Sequence, residues 1–395
     1  MSRADLERIW RAGVAACLPA RVLPPHLPEP PPGRTIALAL GKAAGGMAET
    51  LEAHWPGRLE GLAVAPYGTR ARLRSIELAH ASHPAPDEAS VAAGERLLAL
   101  AGEAGADDLV LVLLSGGASS LACLPGEGLT LVDKQRLTQA LLRSGAAIGE
   151  VNRVRRHLSR IKGGRLGSAA APARLVTLAI SDVAGDGPQD IGSGPTVADA
   201  TTVADAHAVL RRHAIAAPAA GWSESEKGAT GEFRIVAANR QALQAAAAEA
   251  RRLGYEPLVL GACEGEAREL GRAHAALALR QRGRMALISG GELTVTVAGC
   301  GRGGPNREYA LAAAIAFAGT PFIRGLAADS DGIDGSPDAA GAFFDEGTLA
   351  RSSRDAGAAL ADNDSGGYFA ALGDAFVTGA TGTNVNDLRV ILTGP

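Results

Sequence analysis

Aromatic residues make up only 4% of this 395-residue sequence, and the formal net charge is only −3. A nucleic-acid surface needs clustered basic residues with stacking rings, so no nucleic-acid partner is expected. There are four cysteines, Cys17, Cys123, Cys263 and Cys300, and none stand at CxxC spacing. A zinc cluster is thereby disfavoured, and free thiols in a reducing compartment are the simpler reading. No uninterrupted apolar run is long enough to span a membrane. The N-terminal stretch reads as an amphipathic helix with charges throughout, without the apolar core of a signal peptide. A soluble, cytoplasmic protein is the expectation. A G-x-x-x-x-G-K-[ST] loop is also missing, so an ATP user would need some other phosphate site.

Glycine, by contrast, is abundant: 51 residues, with no Gly-X-Y period. Glycine spread in this way suits an α/β protein whose turns approach ligands closely. Hydrophobic residues at 47% and charged ones at 21% describe a globular chain, and the length exceeds one ordinary core. Short apolar runs at 34–40, 108–114, 175–180, 233–237, 255–260, 285–288 and 322–328 read as strands, with helical patterns between them. Fully apolar strands alternating with helices imply an α/β fold with mostly parallel sheets, covered on both faces. Residues 216–231 are polar, carry Gly and Pro and lack periodicity, as a linker does. Two domains are expected, 1–230 and 231–395.

Ligands of open α/β sheets sit beyond the carboxyl ends of the strands, and the polar residues of note collect there. The first strand runs into Lys42, a cation able to neutralise a transferring phosphoryl group or else a lysine snorkelling from a helix start. The second strong strand ends in Ser115, Gly116, Gly117, Ala118 and Ser119, a turn that could cradle an anion or be only a tight βα turn. Asp182, Asp186, Glu292, Asp329, Asp331 and Asp334 supply oxygen ligands suited to Mg²⁺, with part of the set expected to form turns only. The basic segment from Asn152 to Lys162 could receive phosphates or simply be solvated. His83 and His157 have no visible catalytic partner and read as structural. Gly299–Gly304 matches G-x-G-x-x-G, the single feature favouring a dinucleotide. Against it, the strand-like residues before it alternate Thr with apolar side chains, whereas a Rossmann first strand is buried on both faces.

Several long motifs follow one another along the chain. These are GKAAGGMAE from Gly41, HPAPDE from His83, LLSGGASSLACLP from Leu113 and NRVRRHLSRIKGGRL from Asn152. SDVAGDGPQDIGSGPT from Ser181, SGGELTVTV from Ser289 and GRGGPNREYAL from Gly301 follow. DSDGIDGSPDAAGA from Asp329 and TGATGTNVNDL from Thr378 complete the series. In this order they make the chain resemble the glycerate 2-kinase family with a C-terminal MOFRL domain, whose members also carry hydroxypyruvate reductase labels. The resemblance implies two Rossmann-like domains with an active-site cleft between them, and ATP- and Mg²⁺-dependent phosphorylation of D-glycerate at its 2-hydroxyl. It makes Lys42 the catalytic lysine and Asp331 an active-site acid.

The family's usual Arg-Asn-Gln-Glu is replaced here by Pro305-Asn306-Arg307-Glu308, which leaves Arg307 or Arg302 to supply the missing cation. The expected site is therefore Lys42, Arg307 and Asp331 for catalysis. Ser115, Gly116, Gly117, Ala118, Ser119, Lys162, Asp182, Glu292 and Asn306 are expected to bind substrate or phosphate, and Asp182, Asp329 and Asp334 to hold the metal. The alternatives are an NAD(P)H-linked hydroxypyruvate reductase and a non-catalytic sugar-acid sensor; a homodimer is compatible with each.

Overall fold

The computed structural model describes residues 2–228 and 231–395. Packing divides the chain into two compact units, Pro19–Val236 and Met1–Leu18 with Ala237–Pro395.

The first unit is built on β1 (Thr35–Leu40), β2 (Leu59–Pro66), β3 (Ile76–Ala81), β4 (Leu109–Leu114), β5 (Arg174–Ile180) and β6 (Glu232–Ala237), in the order β3-β2-β1-β4-β5-β6. The ladders from β3 to β5 are all parallel. Every residue of TIALAL in β1 and LVLVLL in β4 is buried, as central strands covered on both faces require. The helix Glu88–Gly102 starts at a capping box between Asp87 and Ser90 and turns Ala93, Leu97 and Ala101 toward this core. Parallel direction has one consequence for function. The turns after β1, β3, β4 and β5 all emerge at a single edge, carrying Lys42, His83, Ser115 and Asp182.

The second unit contains β7 (Glu256–Ala262), β8 (Gly265–Glu266), β9 (Met285–Gly291), β10 (Leu293–Thr294), β11 (Ile323–Asp329), β12 (Gly341–Asp345), β13 (Ala375–Phe376) and β14 (Asp387–Thr393). Its main sheet has the order β13-β12-β11-β14-β9-β7, and β8 pairs with β10 apart from it. The α/β architecture is as expected, with parallel ladders concentrated in the first sheet. In the second sheet only β7–β9 runs parallel, while β14 lies antiparallel between β9 and β11. An apolar run buried on both faces can pair in either direction, so its pattern does not encode this.

The units depart from the expected domains at two places. The helix Arg3–Ala16, capped by Ser2 and Asp5, packs with the second unit rather than the first. Its Leu6, Ile9, Trp10 and Val14 share a core with Leu243, Ala246, Ile288 and Val390, and Trp10 Nε1 donates to Ala328 O at 3.3 Å. The expected linker, of which residues 229–230 lie outside the described residues, is also tied down within the first unit at Ser225 and Glu226. Glu226 N donates to Gly163 O at 2.9 Å, Asp199 N donates to Glu226 O at 2.8 Å, and Ser225 is buried. The chain enters the first unit at Pro19 and leaves it only at the end of β6, which adds to the edge of the first sheet. Among the described residues no helix is long and apolar enough to cross a membrane.

Candidate functional site

In the first unit the turns after β1 and β4 are locked together. Lys42 N donates to Gly116 O at 2.8 Å and Ala43 N to Ser115 Oγ at 3.0 Å. Gly41 has φ +127°, and a Cβ there would collide with Ser115 Oγ, so this crossing admits only glycine. The half-buried Lys42 side chain thus leaves a backbone fixed on both sides. Ser115 itself is fully buried and spends its hydroxyl on this joint, so its role is structural rather than the expected ligand contact. Gly116 and Ala118 are buried as well, and Gly117 and Ser119 are the half-exposed members of the turn.

A buried polar network supports that turn. Ser119 Oγ lies 3.0 Å from Ser193 Oγ, which donates to Asn152 Oδ1 at 3.3 Å. Arg156, also buried, pairs with Asp199 at 2.9 Å and Asp190 at 3.4 Å. Much of the basic segment is therefore internal scaffolding, where the sequence left phosphate binding open. Lys162 follows the same logic. It is buried, and its ammonium donates to Ser119 O at 2.7 Å and Ala122 O at 3.3 Å. The expected phosphate-binding lysine instead holds the short helix Ala118–Leu121 from behind.

Burial pushes the Lys162 pKa down to about 7 from 10.5; Cys123 opposes the shift, and Lys134 and Arg155 add to it slightly. Between those two values the unfolded chain binds more protons than the folded one, so this residue makes stability rise with pH across that window. In Lys162→Met that contribution is expected to vanish. Urea denaturation at pH 7 and pH 9.5 checks it: the gap between variant and wild type should shift in favour of wild type at the higher pH.

The second unit gathers its polar residues around the helix Pro305–Ala316. Asp334 and Arg307 are both wholly buried and pair at 2.9 Å. The Asp334 carboxylate also accepts Asn306 N at 2.8 Å and Arg307 N at 3.0 Å. Burial pushes its pKa up to about 6, while Arg307 and the two backbone N–H groups pull it back. The remaining donors of Arg307 go to Asp334 O, Ser336 Oγ and Asp338. This corrects two expectations. Asp334 caps the helix rather than presenting oxygens to a metal, and Arg307 clamps the 334–338 loop rather than facing a substrate. Asn306 is internal too, donating to Asp387 Oδ1 at 2.6 Å. Asp387 in turn holds Arg389 at 2.6 Å, and Arg389 donates to Gly290 O and Gly291 O at 2.9 and 2.7 Å. In the sequence Asp387 stands out only as part of TGATGTNVNDL and Arg389 not at all; the further signal is two charges in an apolar strand.

Three expected acids remain at the strand ends. Glu292 is exposed after β9, and Asp329 ends β11 half-buried. Asp331 is buried; its N donates to Asp329 Oδ1 at 2.9 Å, and its Oδ1 accepts Ile333 N at 2.8 Å. Among the described residues no group of three or more His, Cys, Asp or Glu is arranged to hold a metal. Mg²⁺ accompanying a nucleotide takes only one or two carboxylates beside water and phosphate. The neighbouring Asp329 and Asp331 fit that smaller demand.

The Gly299–Gly304 loop does not behave as a pyrophosphate turn. Gly299 N donates to Asn363 Oδ1, Cys300 N to Asp362 Oδ1, Gly301 N to Asp362 O and Arg302 N to Asp364 Oδ1. The next helix start is filled by Asp334, and the preceding strand, β10, is two residues long and outside the main sheet. The donors a dinucleotide would use are spent internally.

Known proteins agree with this architecture. The family described as "Domain of unknown function (DUF4147)" matches residues 5–221, and the MOFRL family matches 285–387. A protein of Agrobacterium vitis named "Putative hydroxypyruvate reductase" is 47% identical, covering 100% of this chain and 95% of its own. The D-glycerate 2-kinase of Thermotoga maritima is 37% identical over 97% of this chain and 96% of its own. A crystal structure of glycerate kinase from Thermotoga maritima superposes with a TM-score of 0.87, at 37% identity and 98% coverage of both chains.

Proposed function

This chain belongs to the family that joins a DUF4147 region to a MOFRL region and includes the glycerate kinases, and we propose that it phosphorylates D-glycerate at the 2-hydroxyl, using ATP and Mg²⁺. The observation that carries the reading is Lys42, anchored through Gly116 O and Ser115 Oγ at the carboxyl edge of a parallel sheet. An ammonium held there stabilises charge on the transferring phosphoryl group without having to reorganise. The Ser115–Ser119 turn, through its half-exposed Gly117 and Ser119, binds an anionic group. Asp182 and Glu292 contact substrate or phosphate at their strand ends. Asp329 and Asp331 hold Mg²⁺ or orient the hydroxyl. Mg²⁺ held by Asp329 and Asp331 would supply positive charge to the nucleotide phosphate oxygens. Arg302, exposed where Arg307 is buried, supplies the cation that Pro305 lacks.

The test is incubation of D-glycerate with ATP and Mg²⁺, with 2- and 3-phosphoglycerate separated, beside hydroxypyruvate with NADH. ADP and 2-phosphoglycerate are expected, with negligible NADH oxidation. Hydride transfer without ADP release would reverse the assignment.

Asp331→Asn gives a narrower check. The amide oxygen can still accept Ile333 N, so the turn should persist while the charge is lost. A large fall in kcat is expected with a small change in Tm. Near-normal turnover at every Mg²⁺ concentration would reduce Asp331 to a turn former.

A further inference from the structure

We propose that His83 is a catalytic residue of this kinase and takes the proton of the reacting hydroxyl; the inference rests on the reading of the chain as a glycerate kinase. His83 follows β3, and the structure lays its ring against the turn after β4. A Cβ on Gly117 would stand 2.9 Å from His83 Cδ2, 3.1 Å from His83 Nε2 and 3.4 Å from Lys42 Cγ. The imidazole and the Lys42 side chain therefore flank one glycine of the turn. Gly117, at φ +83°, is required both for its backbone and to leave this space open.

The loop carrying His83 is held in place. Ser120 Oγ donates to Pro84 O at 2.7 Å, Gln135 Nε2 to Pro86 O at 2.7 Å and Ser82 N to Asp87 Oδ1 at 3.3 Å. Ser120 belongs to the same helix, Ala118–Leu121, that Lys162 braces, so turn and histidine loop are fastened to one element. Two other histidines are structural. His157 is fully buried, with ring nitrogens 3.0 Å from Ser223 O and 3.1 Å from Thr201 Oγ1, and His274 is buried against Tyr309 Oη at 2.9 Å. His83 is half-exposed at the sheet edge, beside the lysine assigned to the phosphoryl group.

In the step proposed, the glycerate hydroxyl oxygen forms a bond to the γ-phosphorus while the bond from that phosphorus to the β–γ bridging oxygen breaks. ADP leaves with that electron pair. The hydroxyl proton passes to a His83 ring nitrogen and from there to water.

Kinetics of His83→Gln and His83→Ala, with imidazole added back to the latter, test this. A positioned base typically contributes about 10²–10⁴-fold, so kcat is expected to fall by at least about a hundredfold with little change in KM. Imidazole should restore turnover of His83→Ala in proportion to its concentration. In the wild type, the His83 ring resonances, assigned by their loss in His83→Gln, should shift on titration with D-glycerate. That readout stands even if His83→Ala fails to fold. An active wild type with a nearly unaffected His83→Gln, a folded His83→Ala that imidazole does not rescue, or ring signals indifferent to glycerate would each overturn the role of His83. A wild type that does not phosphorylate glycerate at all would instead overturn the kinase reading.

Discussion

Arg307→Met is expected to unfold the second unit far more easily than any loop-acid substitution, at a cost of about 3–5 kcal/mol. The reason is where its partner is left. Asp334 is wholly buried and would keep its carboxylate with only backbone and amide donors around it. The 334–338 loop would also lose the guanidinium that ties Asp334 O, Ser336 and Asp338 to the helix Pro305–Ala316. For a unit of this size the cost corresponds to a Tm lower by roughly 10 °C. Arg307→Lys should recover little, because one ammonium cannot reproduce a fork that bonds in several directions. The double variant Arg307→Met/Asp334→Asn should recover part of the loss, since the buried charge goes with its partner. Urea denaturation of the four proteins decides it. A single variant within about 1 kcal/mol of wild type would mean that the pair is not what holds the loop.

The same pair shows where the sequence stopped being legible. Central strands such as β1 and β4 were readable because a run buried on both faces has no polar residues to blur it. β3, with Glu77 and His80 inside IELAHA, lies at the sheet edge and gives no such signal. The positions of the chemical turns were equally readable, since they follow from strand ends. The direction in which each polar side chain faces was not. Ser115, Lys162, Asn306, Arg307 and Asp334 stand in the motifs that mark the site, yet all five are buried and partnered within the protein. A motif therefore mixes residues that meet a ligand with residues that hold those residues still, and only burial and hydrogen bonding separate them. His83 is the converse case: no sequence neighbour gives it a partner, and it becomes interesting only when β3 and β4 deliver it to Gly117 beside Lys42.

Lys42→Met should abolish most turnover while leaving the fold intact. The side chain is half-buried, and its apolar stem lies near Gly117, with Cγ 3.4 Å from where a Cβ would stand. Methionine keeps most of that packing, and the backbone anchors from Lys42 N to Gly116 O and from Ala43 N to Ser115 Oγ are untouched by the substitution. Thermal stability should barely move. Under the proposed reaction, the ammonium meets charge that grows as the phosphoryl group is transferred, so its loss raises the barrier more than it weakens binding. A single preorganised charge of this kind contributes on the order of 3–4 kcal/mol, roughly a hundred- to thousand-fold in kcat. KM for glycerate should change far less. Lys42→Arg is expected to rescue poorly, because a planar guanidinium fork cannot take the place of a compact ammonium. Steady-state kinetics with a thermal melt of each variant separates the outcomes. A Met variant with wild-type kcat, or one inactive only because its Tm has collapsed, would remove Lys42 from the chemistry.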